Sequence, residues 1–334
     1  MSALLEVKNL TTYIGKKKKQ KHTIIDNVSF DINKGEIVGI VGESGCGKSM
    51  TALSVMQLLP KEIGISEDSS VTLFGKDILG IPNHQMRKIR GNEISMIFQE
   101  PMTSLNPLMK IGRQIQEIVQ LHMKTSKDKS KETAIELLES VGIPNAEESY
   151  EKYPHELSGG MRQRVMISIA MACNPKLLIA DEPTTALDVT IQAQILELMK
   201  KLKHEYNTSI MMITHDLGVV AEMCERVIIM YAGKIVETAD VETLFANPQH
   251  PYTKGLIASL PAKKKGQKRL SSIPGNVPPI KNRPKGCRFA PRCSYAMDIC
   301  SEIEPHMFEL EDNHASACWL HDSNTIKKEA DMYE

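Results

Sequence analysis

The sequence LSGGMRQR at residues 157–164 lies between a glycine-rich loop and an acidic strand end, and this order decides how the chain is interpreted. Serine and glycine are favoured where a helix begins, so Ser158, Gly159 and Gly160 predict a helix N-terminus. Such an end presents free backbone N–H groups and favours anions. The apolar face of the helix that follows consists of Met161, Val165, Met166 and Ile169.

The upstream motif, GESGCGKS at residues 42–49, fits the phosphate-loop pattern G-x-x-x-x-G-K-[ST]. An apolar strand, EIVGIVG, precedes it and a helix-like segment, TALSVMQLL, follows it. Lys48 would bridge the β- and γ-phosphates of a nucleotide, and Ser49 would bind Mg²⁺. The nucleotide-binding residues predicted in and after this loop are Gly42, Ser44, Gly45, Cys46, Gly47, Lys48, Ser49 and Met50.

The downstream motif is a pair of carboxylates, Asp181 and Glu182, at the end of the apolar strand LLIAD. Buried carboxylates are costly unless they bind a cation or take part in chemistry. In phosphoryl transfer Asp181 would hold Mg²⁺, and Glu182 would position the attacking water and help to deprotonate it. A solvated strand end is the alternative, and the phosphate loop upstream argues against it.

In this order and spacing the three motifs resemble the ATP-binding subunit of an ABC transporter, from about Tyr13 to His215. The resemblance implies that the helix N-terminus at Ser158, Gly159 and Gly160 faces the γ-phosphate bound to the opposite subunit. It therefore implies a dimer with ATP in the interface. The loop Ala186-Leu187-Asp188 matches the segment through which the two ATPase subunits contact each other.

Single residues complete the resemblance. Gln99 corresponds to the family's glutamine that contacts Mg²⁺ and the attacking water and faces the membrane subunits, and His215 to the histidine that holds the γ-phosphate. Tyr13 corresponds to the ring that stacks on adenine, although a tyrosine after a short strand is often ordinary packing. The resemblance thus implies that Lys48, Gln99, Glu182 and His215 take part in catalysis. It implies that Ser49, Gln99 and Asp181 bind Mg²⁺. Asp188 and the residues named above would make further contacts with the nucleotide.

The pattern of apolar segments predicts an α/β fold with an antiparallel β subdomain, a helical insert and a small C-terminal cysteine-rich module, and the resemblance implies that its core is an ABC-type P-loop ATPase. The segments LLEVKNL and TIIDNVSFDI predict the antiparallel strands, and RVIIMYAGKIVE predicts one strand. We expect the core at residues 1–99 and 159–246, the insert at 100–158, and a linker with the C-terminal module at 247–334. Two helices are predicted in the insert, IGRQIQEIVQL with Ile111, Ile115, Ile118 and Val119 on one face, and KETAIELLESVG, which ends at Gly142.

Four cysteines lie in the last fifth of the chain with the spacing C-x5-C-x6-C-x17-C. This spacing differs from the close pairs of common zinc ribbons and from ferredoxin runs, so it indicates four thiolates of unknown metal or four unrelated cysteines. The segment resembles the C-terminal module of oligopeptide/dipeptide transporter ATPase subunits, as does HPYTKGL at residues 250–256. That resemblance implies a [4Fe–4S] cluster, with zinc as the alternative, either as a structural staple or as a redox sensor. The ligands would be Cys287, Cys293, Cys300 and Cys318.

Charge and hydropathy argue against a nucleic-acid-binding protein and against a membrane-spanning or secreted one. Lysine plus arginine and aspartate plus glutamate both number 41, which gives no nucleic-acid footprint. The basic runs at residues 16–21 and 263–269 predict solvated loops or contacts with anionic lipid. No apolar stretch reaches the roughly 18 residues that span a bilayer, and the opening MSALLEVKNL lacks a secretory pattern, so we expect a cytosolic protein.

The two resemblances together imply the ATP-hydrolysing subunit of an importer of oligopeptides or dipeptides, peripheral at the cytoplasmic face of the membrane. Its expected partners are a second, homologous ATPase subunit, two membrane permease subunits and, indirectly, an extracytoplasmic peptide-binding protein. A nickel importer of the same family is the nearest alternative. A soluble ABC ATPase acting on ribosomes or DNA is disfavoured by the single phosphate loop and the short insert, and an independent regulatory role for the C-terminal module stays open.

Overall fold

The structure is a computed structural model that describes residues 3–15, 21–100, 104–185, 187–260, 273–311 and 313–323. The basic run at 263–269 and all of the run at 16–21 except Lys21 lie outside these ranges, as does Ala186 of the expected dimer contact. The strands are β1 (Leu5–Ile14), β2 (His22–Ile32), β3 (Ile37–Val41), β4 (Ile63–Ile65), β5 (Ser70–Leu73), β6 (Lys76–Asp77), β7 (Ile94–Ile97), β8 (Leu177–Asp181), β9 (Ser209–Thr214), β10 (Arg226–Tyr231), β11 (Lys234–Asp240), β12 (Phe308–Glu311) and β13 (His314–Ser316). The α-helices are α1 (Lys48–Val55), α2 (Asn83–Ile89), α3 (Ile111–Met123), α4 (Lys127–Ser140), α5 (Ala146–Tyr150), α6 (Gly159–Met171), α7 (Val189–Tyr206), α8 (Leu217–Met223), α9 (Val241–Ala246), α10 (Pro251–Ala258) and α11 (Asp298–Glu302).

The first strands form an antiparallel sheet in the order β2-β1-β5-β6, with β4 paired to β1. Its inward-facing side chains, among them Leu5, Val7 and Leu10, are buried in a core shared with the phosphate-loop strand β3. The predicted antiparallel subdomain is therefore confirmed. Alternation of buried and exposed residues along β1 is what a sheet with one covered face requires.

The second sheet has the order β12-β13-β11-β10-β3-β9-β8-β7, and the strands from β10 to β7 run parallel. The parallel strands are buried along nearly their whole length, as expected for a sheet covered on both faces. Their carboxyl ends meet at one edge, where open α/β sheets bind ligands. The phosphate loop after β3, Gln99 after β7, Glu182 after β8 and His215 after β9 all follow strands at this edge.

The segment RVIIMYAGKIVE forms a hairpin of two strands, β10 and β11, and the prediction of one continuous strand is wrong. Ala232 and Gly233 make the turn in the left-handed region, with φ of 46° and 90°. An added Cβ on Gly233 would lie 2.0 Å from the carbonyl oxygen of Ile24. The turn is therefore fixed by a close backbone approach as well as by φ.

The helical insert follows its sequence pattern. Helices α3 and α4 confirm the two predicted helices, and Ile111, Ile115 and Val119 are fully buried on the shared face. Gly142, with φ of 74°, follows the end of α4 as predicted. No helix within the described ranges is both long and apolar enough to cross a membrane.

The C-terminal segment, which the sequence predicts to be a small separate module, instead continues the main sheet. Strand β13 pairs with β11 through Glu237 and Thr238, and β12 pairs with β13 at the edge. Helix α10 occupies the start of the stretch, residues 247–334, that the sequence predicts as a linker and module, whereas α9 ends just before it. Tyr231, Tyr252 and Phe289 then pack together in a third core, so this segment is attached to the ATPase core by buried aromatic contacts.

Candidate active site

The phosphate loop has the backbone that its glycines predict. A Cβ on Gly42 would lie 2.2 Å from the carbonyl oxygen of Met230, so only glycine fits there. Gly47 has φ of 109° and immediately precedes α1, whose first turn faces the loop. The buried Lys48 ammonium donates to the carbonyl oxygens of Gly42 at 2.7 Å and Glu43 at 3.3 Å. Ser44 and Gly45 are exposed at the mouth of the loop, where an incoming phosphate would meet their N–H groups.

Ser49 and Asp181 meet across the site. The Ser49 Oγ donates to Oδ1 of Asp181 at 3.1 Å, although the two residues are 132 positions apart. Asp181 is buried, and this burial raises the pKa of its carboxyl, while the hydrogen bond from Ser49 lowers it. A hydroxyl and a carboxylate at this separation are the oxygen ligands that Mg²⁺ prefers.

Glu182 lies at the centre of a group of polar side chains. Its φ is 47°, a conformation that costs energy in a residue with a side chain, and its N–H donates to the carbonyl oxygen of Ile213. The carboxylate accepts from Gln99 Nε2 at 3.1 Å and from Thr185 Oγ1 at 2.8 Å, and His215 Nδ1 lies 3.3 Å from it. The structure thus brings together three of the four predicted catalytic residues. Thr185 was not predicted, because a threonine after a strand carries no motif of its own.

A cavity of about 460 Å³ opens between the phosphate loop and this group, within the usual range for small-molecule sites. One residue of α10 also borders it. The lining consists of Val41, Gly42, Glu43, Ser44, Gln99, Glu182, His215 and Leu256.

The signature residues occupy a different place. Ser158 is the N-cap of α6 and accepts from the N–H of Met161 at 3.3 Å. A Cβ on Gly159 would meet nothing within 4 Å, whereas one on Gly160 would lie 2.9 Å from Cγ2 of Ile191 in α7. Asp188 caps α7 by accepting from the N–H of Ile191 at 2.9 Å. The lining of the cavity includes none of Ser158, Gly159, Gly160 and Asp188.

Several other predicted contacts are also outside the cavity lining: Tyr13, Cys46 and Met50, and beside the cavity Gly45, Gly47, Lys48, Ser49 and Asp181. Tyr13 packs its ring on Gly64, and the Lys21 ammonium lies 3.6 Å from the ring centroid on a face that adenine would need. Met50 packs against the core of the antiparallel sheet. Cys46 is fully buried, and burial raises the pKa of its thiol.

The C-terminal segment reaches the phosphate loop, which the sequence did not predict. The guanidinium of Arg292 pairs with the Glu43 carboxylate at 2.6 and 3.0 Å, and the Tyr252 hydroxyl accepts from the Glu43 N–H at 2.9 Å. Glu43 and Arg292 are 249 residues apart, so no local pattern could have indicated the pair.

The four C-terminal cysteines interact with one another. Burial raises the pKa of the Cys287 thiol to about 12 and of the Cys318 thiol to about 11, and Cys300 adds to both shifts. Burial also raises the pKa of the Cys293 thiol. Across the described ranges, however, no group of three or more His, Cys, Asp and Glu side chains is arranged to hold a metal ion. The geometry therefore does not support a metal centre.

A strand, phosphate loop and helix at the carboxyl edge of a parallel sheet, facing two strand-end carboxylates, define a P-loop nucleoside triphosphatase. Residues 25–185 match the family described as ABC transporter, and residues 236–300 match the family described as oligopeptide/dipeptide transporter, C-terminal region.

Known proteins with similar sequence and fold extend this match. The oligopeptide transport ATP-binding protein AppD of Bacillus subtilis is 54% identical over 96% of this chain and 98% of its own, and OppD of the same organism is 53% identical over 96% and 89%. Among solved structures, the dimeric post-hydrolysis ATP-binding cassette MJ0796 bound to ADP and Pi superposes with a TM-score of 0.63 at 28% identity, over 71% of this chain and 98% of that one. The chain therefore belongs to the ATP-binding subunits of ABC transporters, in the oligopeptide/dipeptide group, and it couples ATP hydrolysis to transport.

Proposed function

We propose that this chain energises the uptake of oligopeptides or dipeptides through partner membrane subunits. The substrate class is supported by the match of residues 236–300 to the oligopeptide/dipeptide transporter C-terminal region. Relatives named for oligopeptide transport, which are identical to this chain at about half of the aligned residues, support it further. The site described above supplies the groups for hydrolysis. The peptide itself would contact other subunits, so its length preference is set outside this chain.

In the proposed mechanism the loop N–H groups and Lys48 bind the triphosphate, after Lys48 has left the carbonyl oxygens of the loop. Ser49, Asp181 and Gln99 would hold Mg²⁺, which neutralises charge on the β- and γ-phosphates. Glu182 accepts the proton of the attacking water, and its contacts with Gln99 and Thr185 hold the carboxylate in place. His215, exposed beside Glu182, would contact the γ-phosphate.

The remaining predicted residues would contact a second ATPase subunit, the adenine ring or the permease subunits. Ser158, Gly159, Gly160 and Asp188 would contact the nucleotide and the loop of a second ATPase subunit, a homologue in a heterodimer, and Tyr13 would stack on adenine after Lys21 moves. Two permease subunits would bind near Gln99 and hold the chain at the cytoplasmic face of the membrane. The divisions at residues 1–99, 100–158, 159–246 and 247–334 belong to the same proposal.

The test is transport by the assembled system in vesicles, with Lys48→Ala and, as a matched control, Lys200→Ala, which removes a lysine paired with Glu197 and Glu222 away from the site. Lys48→Ala should abolish ATP hydrolysis and uptake of a labelled peptide, because the triphosphate loses the matched cation of the loop. Lys200→Ala should leave both intact. Uptake of Ni²⁺ without uptake of di-, tri- or tetrapeptides would overturn the substrate assignment, and near-normal turnover by Lys48→Ala would overturn the site.

We also propose that Cys287, Cys293, Cys300 and Cys318 hold a [4Fe–4S] cluster, with zinc as the alternative. The Tyr295 N–H donates to the Cys293 sulfur at 3.4 Å, and backbone N–H groups near Cys287 and Cys318 lower the pKa of these thiols against the larger, opposite effect of burial. Such hydrogen bonds stabilise thiolates, and the raised thiol pKa values would fall on binding a cation. A cluster of four irons also separates its ligands more widely than a single ion does. In this role the four cysteines would staple a loop-rich segment.

Protein purified without oxygen should contain iron and sulfide near four each per chain, and Cys300→Ser should lower both. The matched control is Cys224→Ser, which removes a cysteine outside the C-terminal segment. Stoichiometric zinc, or protein that folds normally without any metal, would reject the cluster and leave the ATPase function untouched.

A further inference from the structure

The second residue of the phosphate loop, Glu43, is held on three sides. Its N–H donates to the Tyr252 hydroxyl, its carbonyl oxygen accepts from Lys48 at 3.3 Å, and its carboxylate pairs with both terminal nitrogens of Arg292. Its neighbour Gly42 is locked by its close approach to Met230. The contacts from Tyr252 and Arg292 thus come from beyond residue 250, outside the unit of strand, loop and helix that forms the loop itself.

Arg292 is built to hold this position. Its side chain is only 5% exposed, and it also donates to the carbonyl oxygens of Pro274 at 2.8 Å and Ile273 at 3.4 Å and to the Tyr231 hydroxyl at 3.3 Å. A two-pronged pair between a guanidinium and a carboxylate fixes both distance and orientation. Because the other contacts fix the guanidinium itself, Arg292 also fixes where the Glu43 carboxylate can lie.

The charge of the loop depends on this pair. Within residues 42–49 the charged side chains are Glu43 and Lys48, whose formal charges cancel. Arg292 adds the positive charge that leaves the loop region net positive towards a triphosphate. Glu43 is part of the cavity lining, so without Arg292 its carboxylate would face the phosphates with no cation paired to it.

We infer that Arg292 is a positioning residue for ATP binding: from the C-terminal segment it neutralises the Glu43 carboxylate and fixes where this carboxylate lies beside the phosphate loop. The inference goes beyond the proposed transport function and does not depend on a metal at the cysteines. It links the segment specific to the peptide-transporter family with the nucleotide site. The C-terminal segment then takes part in setting the affinity for ATP.

The experiment measures the Kd of MgATP, MgADP and AMP on the full chain for Arg292→Gln, Glu43→Gln and the double variant. Arg292→Gln should weaken MgATP binding about tenfold, equivalent to about 1.4 kcal/mol, with a smaller loss for MgADP and the smallest for AMP, because the repulsion scales with phosphate charge. The double variant should recover to within about threefold of the unaltered chain. Glu43→Gln alone, which keeps the buried arginine, should bind MgATP at least as tightly as the unaltered chain.

The matched control is Arg288→Gln. Arg288 also anchors the C-terminal segment, by pairing with Asp26 and donating to the carbonyl oxygen of Ala232, but it does not contact the phosphate loop. It should lower thermal stability without changing nucleotide affinity. A double variant as weak as Arg292→Gln, or equal losses for ATP and AMP, would overturn the inference. If Arg292→Gln does not fold, Glu43→Gln alone decides: weaker MgATP binding by Glu43→Gln than by the unaltered chain would also overturn the inference.

Discussion

At the scale of single residues, Asp181 shows a conflict between stability and function. Its buried carboxyl has a raised pKa, so the folded chain binds a proton more tightly than the unfolded chain does. Stability contributed by this group therefore falls as the pH rises from the unfolded pKa through the folded pKa. Above that window the folded state carries the full cost of a buried charge. A cation bound at Ser49 and Asp181 would offset this cost.

Asp181→Asn should therefore stabilise the nucleotide-free chain near neutral pH by about 1 kcal/mol, which raises the Tm by roughly 2 °C, because the amide can still accept from Ser49 without carrying charge. The gain should vanish below the pKa of an aspartate in the unfolded chain, about 3.9, because the carboxyl is then protonated in both the folded and the unfolded state. The further rise in Tm that MgATP gives should shrink in the variant. Thermal unfolding over a range of pH, with and without MgATP, checks the pH dependence and the smaller effect of MgATP. The control is Asp68→Asn, which changes an exposed aspartate. If Asp181→Asn leaves the Tm unchanged at neutral pH, the buried charge of Asp181 does not destabilise the chain.

The sequence predicted site residues where a short motif carries the chemistry, and it failed where the partner comes from far along the chain. Lys48, Ser49 and Asp181 follow from their motifs because each lies beside a strand end that the apolar pattern reveals. Arg292 has no such signal, since its role depends on how the last segment folds back onto the loop. Thr185 is missed for a related reason, because its contact with Glu182 depends on the unusual backbone of Glu182.

At the scale of elements, the two signature glycines have different structural roles. The Cβ position of Gly160 is 2.9 Å from Ile191, so α6 and α7 pack closely there, whereas the Cβ position of Gly159 is open. Gly160→Ala should thus lower the free energy of unfolding by about 1 kcal/mol through overpacking. Gly159→Ala should leave it unchanged or raise it by up to about 1 kcal/mol, because alanine is favoured over glycine in a helix.

Urea denaturation of both variants separates the two glycines, since each adds one methyl group to the same helical turn. Equal losses of stability would mean that the packing of α6 on α7 is not what restricts Gly160. A loss of ATP hydrolysis by Gly159→Ala at unchanged stability would point to the role across the dimer that we propose for this end of the helix.

The elements themselves were predictable where their apolar spacing is long and regular. Helices α3 and α4 and the buried strands β3, β8 and β9 follow directly from it. The hairpin of β10 and β11 was missed because alanine at Ala232 gives no signal for a left-handed turn, and the apolar run continues through it. Strands β12 and β13 were missed because FELE and HAS are only four and three residues long, too short for a pattern to stand out. They form because β11 offers an edge to which β13 pairs, and β12 pairs to β13.

At the scale of the whole molecule, the nucleotide cavity and the helix N-terminus that we propose to face a second chain's nucleotide lie in different places. The cavity lies at the carboxyl edge of the parallel sheet, and the open N-terminus of α6 at Gly159 lies outside its lining. An anion-binding end that does not line the nucleotide cavity of its own chain is what a site shared between two chains requires. The fold match to a dimeric cassette is consistent with that arrangement.

Glu182→Gln tests this shared site, because the amide keeps the shape of the side chain but cannot accept the proton of the attacking water. The variant should bind MgATP, lose hydrolysis, and sediment as a dimer when MgATP is added, either alone or with the second ATPase subunit of the same transporter. The double variant Glu182→Gln/Lys48→Ala should stay monomeric, since it lacks the cation that binds the triphosphate. Dimers of the single chain would favour a homodimer, and dimers formed only with the second subunit would favour a heterodimer. If the variant binds MgATP but does not dimerise, either alone or with the second subunit, the ATP site is completed within one chain. The roles proposed for Ser158, Gly159 and Gly160 would then be wrong.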